Sequence, residues 1–314
     1  MLPARDLDHI IEHTGGVWDT LAGKRIFITG GTGFVGTWLC ESLLHADRGI
    51  SAVVLTRYVD KFPFANPAVR PLEGDVRTFE FPDGEFPYVI HAATPASTDD
   101  HDSAATSRVL EFARTHGTER LLFTSSGAVY GKQPSEMTHI EEAHPCAPDT
   151  PYGQAKFAAE SLLASYAVVA RLFAFSGPHL PLDQNFAVGN FVRDVLSGGP
   201  IRIQGDGTPY RSYLYAADLA IWLWTLLVRG QPGRPYNVGS GHAVTIAELA
   251  QVVAASTVPR TPVEIAQTPV PGVPPPRYVP SVERAERELG LRPIIPLEEG
   301  VRRMYDWAKF HRWK

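Results

Sequence analysis

The sequence predicts an α/β protein: a doubly wound parallel sheet followed by a smaller mixed α/β lobe. Three observations carry that expectation. An apolar run at 25–29, RIFIT, is followed by glycines 30, 31, 33 and 36, and then by a helical pattern through Phe34, Trp38, Leu39 and Leu43. Strand-like runs then alternate with helical patterns, the signature of βαβ units and a parallel sheet. After Gly177-Pro178 the character changes, with helices and short strands mixed among proline-rich loops.

Taken in order, residues 1–22 form an N-terminal helical extension. MLPARDLDHIIEH mixes Leu2, Leu7, Ile10 and Ile11 with charges, which suits a short amphipathic helix and lacks an apolar signal core. Residues 23–178 form the sheet domain. Its strands are 25–29, Ser51 to Leu55, a third through Leu72 ending at GDVR, Tyr88 to Ala92, Leu121 to Ser125, and Val168 to Phe173. A helix runs from Tyr152 to about Ala164. Right-handed crossovers close these units into a Rossmann-type sheet. Residues 179–314 form the second lobe, with segments around 208–240 packing back on the sheet domain. The eight prolines between Thr257 and Pro280 mark an ordered loop, because helical patterns resume at Val282 and Leu297.

Composition removes several function classes. The 314 residues carry 29 Lys and Arg against 34 Asp and Glu, a net charge of −5, so no basic face is available for nucleic acid. The longest apolar stretch, Ala216 to Val228, contains Asp218 and is shorter than the ~20 residues of a membrane span. Two cysteines, Cys40 and Cys146, make no disulfide framework, and a reduced, cytoplasmic setting is expected. No metal site is expected.

TGGTGFVG places Gly30, Gly33 and Gly36 between a strand and a helix. Glycines there permit a tight turn and let backbone approach a pyrophosphate, while the helix N-terminus faces the anion. Dinucleotide binders that take NAD usually end the second strand on a carboxylate that accepts from the ribose 2′-OH. Here Thr56 holds that place and Arg57 follows. An arginine fork suits a 2′-phosphate, so NADP is favoured over NAD. A solvated surface arginine is the plainer alternative.

Tyr152 and Lys156 lie four apart in YGQAK and share one helix face. An ammonium beside a phenol stabilises the phenolate, which makes a tyrosine a usable acid or base near neutral pH. Ser126, just beyond a strand end, is the natural third member. Its hydroxyl suits the oxygen of a carbonyl or carbinol, though Ser125 and Ser126 could also merely terminate the strand.

TGGTGFVG, GDVR, HAAT, TSSGAVYG, YGQAK, FAFSGP, GDGTPYRSYLYAADLA and YNVGSG occur in this order. From about Gly23 onward the chain resembles the extended short-chain dehydrogenase/reductase family, in its group of nucleotide-sugar epimerases, dehydratases and ketoreductases. The resemblance implies a Ser126–Tyr152–Lys156 triad, with Lys156 also on the nicotinamide ribose. It implies that Phe34 and Val35 join the glycine turn at the cofactor, that Asp75 and Val76 hold the adenine end, and that Ala92 and Ala93 line the pyrophosphate and ribose. It places Phe175 and Ser176 at the nicotinamide carboxamide, and Asn185, Arg211 and Arg277 on a nucleotide-diphosphate sugar. An ordinary salt bridge of Arg211 to Asp206 or Asp218 is the competing reading.

Two departures matter. Similar 4,6-dehydratases carry Thr-Asp-Glu where this chain has Ser126-Gly127-Ala128, so the acid and base for eliminating water are missing. The stretch from Tyr152 to Arg171 is also several residues short, so the helix that relatives use in their dimer should lose about two turns. A homodimer of the usual kind is therefore in doubt. What remains is hydride transfer at a sugar carbon. The expectation is reduction of a 4-keto-(6-deoxy)hexose with NADPH, with closest likeness to dTDP-4-keto-6-deoxyhexose reductases. The alternatives are a 4-epimerase with tightly held NAD and a non-catalytic NADP-binding regulator.

Overall fold

The computed structural model describes residues 1–93 and 101–311; Thr94 of the HAAT motif lies outside the described residues. In chain order the elements are α1 (Ala4–His13), α2 (Val17–Leu21), β1 (Arg25–Thr29), α3 (Phe34–Ala46), β2 (Ser51–Thr56), β3 (Val69–Glu73), β4 (Tyr88–His91), α4 (His101–Thr115) and β5 (Arg120–Ser126). They continue with α5 (Pro151–Leu163), β6 (Ala167–Leu172), β7 (Phe175–Ser176), α6 (Ala187–Leu196), β8 (Ile201–Ile203), β9 (Tyr210–Arg211), β10 (Leu214–Tyr215) and α7 (Ala216–Arg229). The last are β11 (Pro235–Val238), β12 (Val244–Thr245), α8 (Ile246–Ala254), β13 (Val263–Ile265), β14 (Arg277–Tyr278), α9 (Glu283–Leu289) and α10 (Leu297–His311).

Seven parallel strands form the main sheet in the order β11-β6-β5-β4-β1-β2-β3. The order reverses between β1 and β4, which opens a crevice beyond the strand ends where such sheets bind ligands. The central strands are apolar because both faces are covered by helices, so they read as continuous runs. Strand boundaries differ from the sequence expectation by a residue: β4 stops at His91 and β5 reaches Ser126.

Helix α7 is buried almost throughout, and Trp224 Nε1 donates to Ser42 Oγ at 2.9 Å to tie it to α3. Residues 1–22 lie against this layer and belong to the core: Leu7, Ile10, Val17, Trp18 and Leu21 are all buried in it. Asp6, fully buried, accepts from Tyr215 OH at 2.7 Å and from Arg303 Nη1 at 2.6 Å. A separate apolar cluster holds the second lobe, where Val188, Phe191 and Val192 of α6 meet Leu249 and Val253 of α8 and Met304 and Trp307 of α10. At its inner edge β9 pairs antiparallel with β12 and parallel with β14, setting Arg211 opposite Tyr278 and Tyr210 opposite Arg277.

Helix α5 is 13 residues long and ends at Leu163. Thr150 caps it by accepting from Gly153 N–H at 3.1 Å, and Pro151 occupies the first turn, where no donor is needed.

Candidate functional site

The glycine turn has the geometry its spacing implies. Gly30 sits at φ +73, and a Cβ there would lie 2.6 Å from the Ala92 carbonyl. A Cβ on Gly36 would lie 2.3 Å from Gly30 O, so α3 packs directly on the turn and any side chain would push the two apart. The result is a groove of about 620 Å³ at the crevice. Gly30, Gly33, Phe34, Val35, Thr56, Arg57, Asp75, Val76, Ala92 and Ala93 all line it. This is a cradle of backbone and small side chains at a helix N-terminus, and its shape and donors fit a dinucleotide pyrophosphate.

At the far end of the groove Arg57 is exposed, its guanidinium 5.6 Å from the Tyr58 ring. Asp75 is engaged by Arg77, with Nε to Oδ1 and Nη2 to Oδ2 both at 2.7 Å. That bond chiefly, with a smaller part from the Arg57 charge, holds the Asp75 carboxyl down at about 2.

Ser126, Tyr152 and Lys156, the expected triad, do not line that groove; they stand at the end of β5 and on the first turns of α5. Ser126 closes β5, and its Oγ accepts from Ala128 N–H at 3.2 Å. Tyr152 is 40 % exposed and Lys156 1 %, so one turn of α5 carries the phenol at the surface of the cleft and the ammonium beneath it. Lys156 Nζ lies 6.0 Å from the centre of the Tyr152 ring and 5.1 Å from that of Phe123. His91 sits behind them and went unnoticed in the sequence, hidden inside an apolar strand run. Burial first, and the Lys156 charge second, push its pKa down to about 3, so it is neutral. It bonds Thr29 Oγ1 at 2.8 Å, and Thr29 Oγ1 accepts from Ala93 N–H at 3.2 Å, which fixes the backbone lining the groove.

Phe175 is half-buried with its ring 6.5 Å from that of Phe34, which lines the groove; Phe175 itself does not. Ser176 is buried, its Oγ facing Gly300 of α10, and it does not line the groove.

The region beyond Ser126 is assembled by long-range pairing. Tyr278, another residue the sequence reading missed, reaches the triad from β14. Its ring lies 4.6 Å from that of Phe173 at a tilt of 35°, and its hydroxyl lies beside Ser126 and is held protonated by burial. A Cβ on Gly127 would lie 2.6 Å from Tyr278 OH and 2.7 Å from Phe173 Cζ. The place beside Ser126 is thus filled by two aromatic side chains. Arg211 lies across β9 with its guanidinium 5.9 Å from the Tyr278 ring, and Arg277 lies 4.0 Å over the Tyr210 ring. Arg211 donates to the Tyr210 carbonyl at 2.7 Å. Neither proposed acidic partner takes it: Asp206 caps Thr208, and Asp218 accepts from the Ile294 and Ile295 amides. Asn185 stands exposed on the turn before α6. A second pocket, about 470 Å³, opens beside it and is lined by Asn190, Phe191, Arg193, Arg202 and Gln204 among others.

A family model described as the NAD dependent epimerase/dehydratase family matches residues 26–239, from the first strand to the end of β11. The chain belongs to that family. Among relatives of this family member, UDP-glucuronic acid decarboxylase 1 of Arabidopsis thaliana is 30% identical over 306 residues, covering 89% of this chain and 68% of the relative. UDP-glucose 4-epimerase of Thermus thermophilus, solved in complex with NAD, is 27% identical with a TM-score of 0.76, covering 91% of this chain and 99% of that one. The dTDP-glucose 4,6-dehydratase of Bacillus anthracis, also solved with NAD, shares the fold at a TM-score of 0.79 and 20% identity, over 92% and 97% of the two chains. Like them, this NAD-dependent epimerase/dehydratase family member carries the seven-stranded parallel sheet with flanking helices. Among its described residues no helix is long and apolar enough to cross a membrane.

Proposed function

We propose that the protein carries out hydride transfer at C4 of a nucleotide-diphosphate sugar and leaves the ring substituents otherwise in place. The observation that carries this reading is the enclosure of Gly127. Eliminating water needs a second acid and base beside the triad. Gly127 and Ala128 supply neither, and Tyr278 and Phe173 occupy the space a carboxylic side chain at 127 would need. Tyr152 then gives or takes the proton at the C4 oxygen, Lys156 stabilises its phenolate, and Ser126 donates to the same oxygen. The bound dinucleotide supplies or accepts the hydride. Arg211 and Arg277 are the cations for the diphosphate, and the pocket beside α6 takes the nucleoside.

Reduction of a 4-keto sugar with NADPH is the direction we infer. Arg57 borders the groove at the end of β2, and Asp75, the carboxylate that lines the groove, is already bound by Arg77. A 2′-phosphate there would meet the Arg57 cation, with the groove's own carboxylate already neutralised by Arg77. A closed cycle with retained NAD is the second reading, favoured by relatives named as a decarboxylase and a 4-epimerase. Oxidising C4 of a hexuronic acid makes a β-keto acid, which loses CO2 with no added carboxyl group.

The two separate in one assay. The protein is incubated with NADPH and a 4-keto-6-deoxy nucleotide sugar, and separately with UDP-glucuronate or UDP-glucose and NAD, and products are read by NMR. Consumption of NADPH with a reduced sugar is expected. A pentose or a C4 epimer formed without net cofactor use would select the second reading, and a 4-keto-6-deoxy product from dTDP- or UDP-glucose would overturn both.

A further inference from the structure

One buried charged pair takes no part in the chemistry above. Glu160 lies on α5, four residues after Lys156 and eight after Tyr152, so the three side chains leave the helix on one face. Its carboxylate is buried and accepts four hydrogen bonds from three donor atoms on two strands. Ser125 Oγ donates at 2.5 Å, Arg171 Nε at 3.0 and 3.3 Å to the two oxygens, and Arg171 Nη2 at 2.7 Å. Arg171 in turn donates from Nη1 to Tyr130 OH at 2.9 Å, and Tyr130 OH donates to Asn237 Oδ1 at 2.7 Å. Asn237 Nδ2 donates to the carbonyls of Ile140 at 2.9 Å and Ser281 at 3.2 Å. Ser281 is three residues beyond Tyr278, and the same segment is fixed again where Val279 N–H meets Gln133 Oε1 at 2.9 Å.

A buried ion pair is weak evidence for stability, because apolar side chains of equal volume often serve as well. A bidentate fork differs from apolar packing in being directional. It permits one rotation of α5 about its axis and one height along it. Lys156 and Tyr152, one and two turns away, inherit that setting. Ser125 precedes Ser126, so the same carboxylate also holds the strand end that carries the third triad member.

We propose that Glu160 and Arg171 are positioning residues that set the rotation of the catalytic helix and, through Tyr130 and Asn237, align it with the strand bearing Arg277 and Tyr278. This rests on the reading that Tyr152 is the proton-transfer group. A misplacement of about 1 Å at a reacting group costs on the order of 100-fold in rate.

The test uses two variants of the whole protein: the paired Glu160→Met/Arg171→Met, which removes both charges at once, and Arg171→Lys, which keeps the charge but loses the fork. Two readouts are taken. One is the midpoint of the Tyr152 phenolate absorbance in the presence of NAD, isolated by subtracting the Tyr152→Phe spectrum. The other is kcat and KM on whichever nucleotide sugar is turned over. The expected result is a raised Tyr152 midpoint and a kcat ~10- to 100-fold lower in each variant that folds, with KM changed less than about threefold. An unchanged midpoint and kcat in a folded variant would overturn the proposal and leave the pair as packing. Should the paired variant not fold, Arg171→Lys decides alone. If wild-type protein shows no phenolate signal that Tyr152→Phe removes, the assignment of Tyr152 fails instead, which is a different outcome.

Discussion

The half of the cleft we assign to the cofactor and the half we assign to the sugar are built by different rules. On the cofactor side each element contributes the residues at its own end: the turn after β1, Thr56 and Arg57 after β2, Asp75 after β3, Ala92 and Ala93 after β4. On the sugar side Tyr278 meets Ser126 from a strand of two residues, across a sequence distance that includes most of the second lobe. The lesson is that a parallel sheet collects function at strand ends, where sequence motifs are local. A lobe docked on those ends collects function through pairings that no local pattern announces.

The largest effect that would sharpen this contrast lies at the junction. Tyr152→Phe should lower kcat by roughly two to four orders of magnitude while the dissociation constant for the dinucleotide stays within about threefold. Near-wild-type turnover would remove the triad from the chemistry. The next breaks the sugar-side wall. Gly127→Asp forces a carboxylate against Tyr278 and Phe173, and should cost about 3 kcal/mol or more through overpacking and an unpaired charge. Adding Tyr278→Ala should return at least half of that in a urea titration. If Gly127→Asp alone is tolerated at full stability, the wall is soft and the argument against elimination weakens.

On the cofactor side, Arg57→Ala should weaken NADPH binding by ~10- to 100-fold, the discount reflecting its exposure, and leave NADH unchanged. Equal loss for both, or none for either, makes Arg57 a surface residue and moves the choice to the NAD cycle. The smallest effect concerns His91. Its native pKa, about 3, lies below the usual 6.5 of an unfolded chain, so between those values the unfolded state binds more protons. Stability from this group is complete above about pH 6.5 and is lost as the pH falls toward 3, by up to about 1.4 kcal/mol per unit. His91→Gln should flatten the slope of urea midpoint against pH between 7 and 5. An identical slope would show that other groups carry it.

The same contrast explains what was legible in the sequence. The sheet, its glycine turn and the groove residues follow from periodicity and from the φ and clearance that Gly30 and Gly36 require, which are local demands. Tyr152 and Lys156 are legible because four residues is one helix turn. Tyr278 is illegible because β14 is two residues long and sits in a proline-rich loop, so nothing local says what it faces. His91 is hidden because a histidine in an apolar strand looks like any buried side chain until Thr29 and Lys156 are placed around it. Residues 1–22 read as an appendage because amphipathicity says that one face is covered but not by what. In the fold that face is part of the core.

That packing has a consequence for the order in which the molecule can be made. Asp6 is closed in by Tyr215, 209 positions later, and by Arg303, 297 positions later. Synthesis delivers the first helix long before either partner exists. Until then its apolar side, and the face of α3 that α7 covers, stay open to other surfaces. Contacts of such sequence separation form late and slowly. The nascent chain should therefore depend on α1 being shielded until Arg303 has emerged.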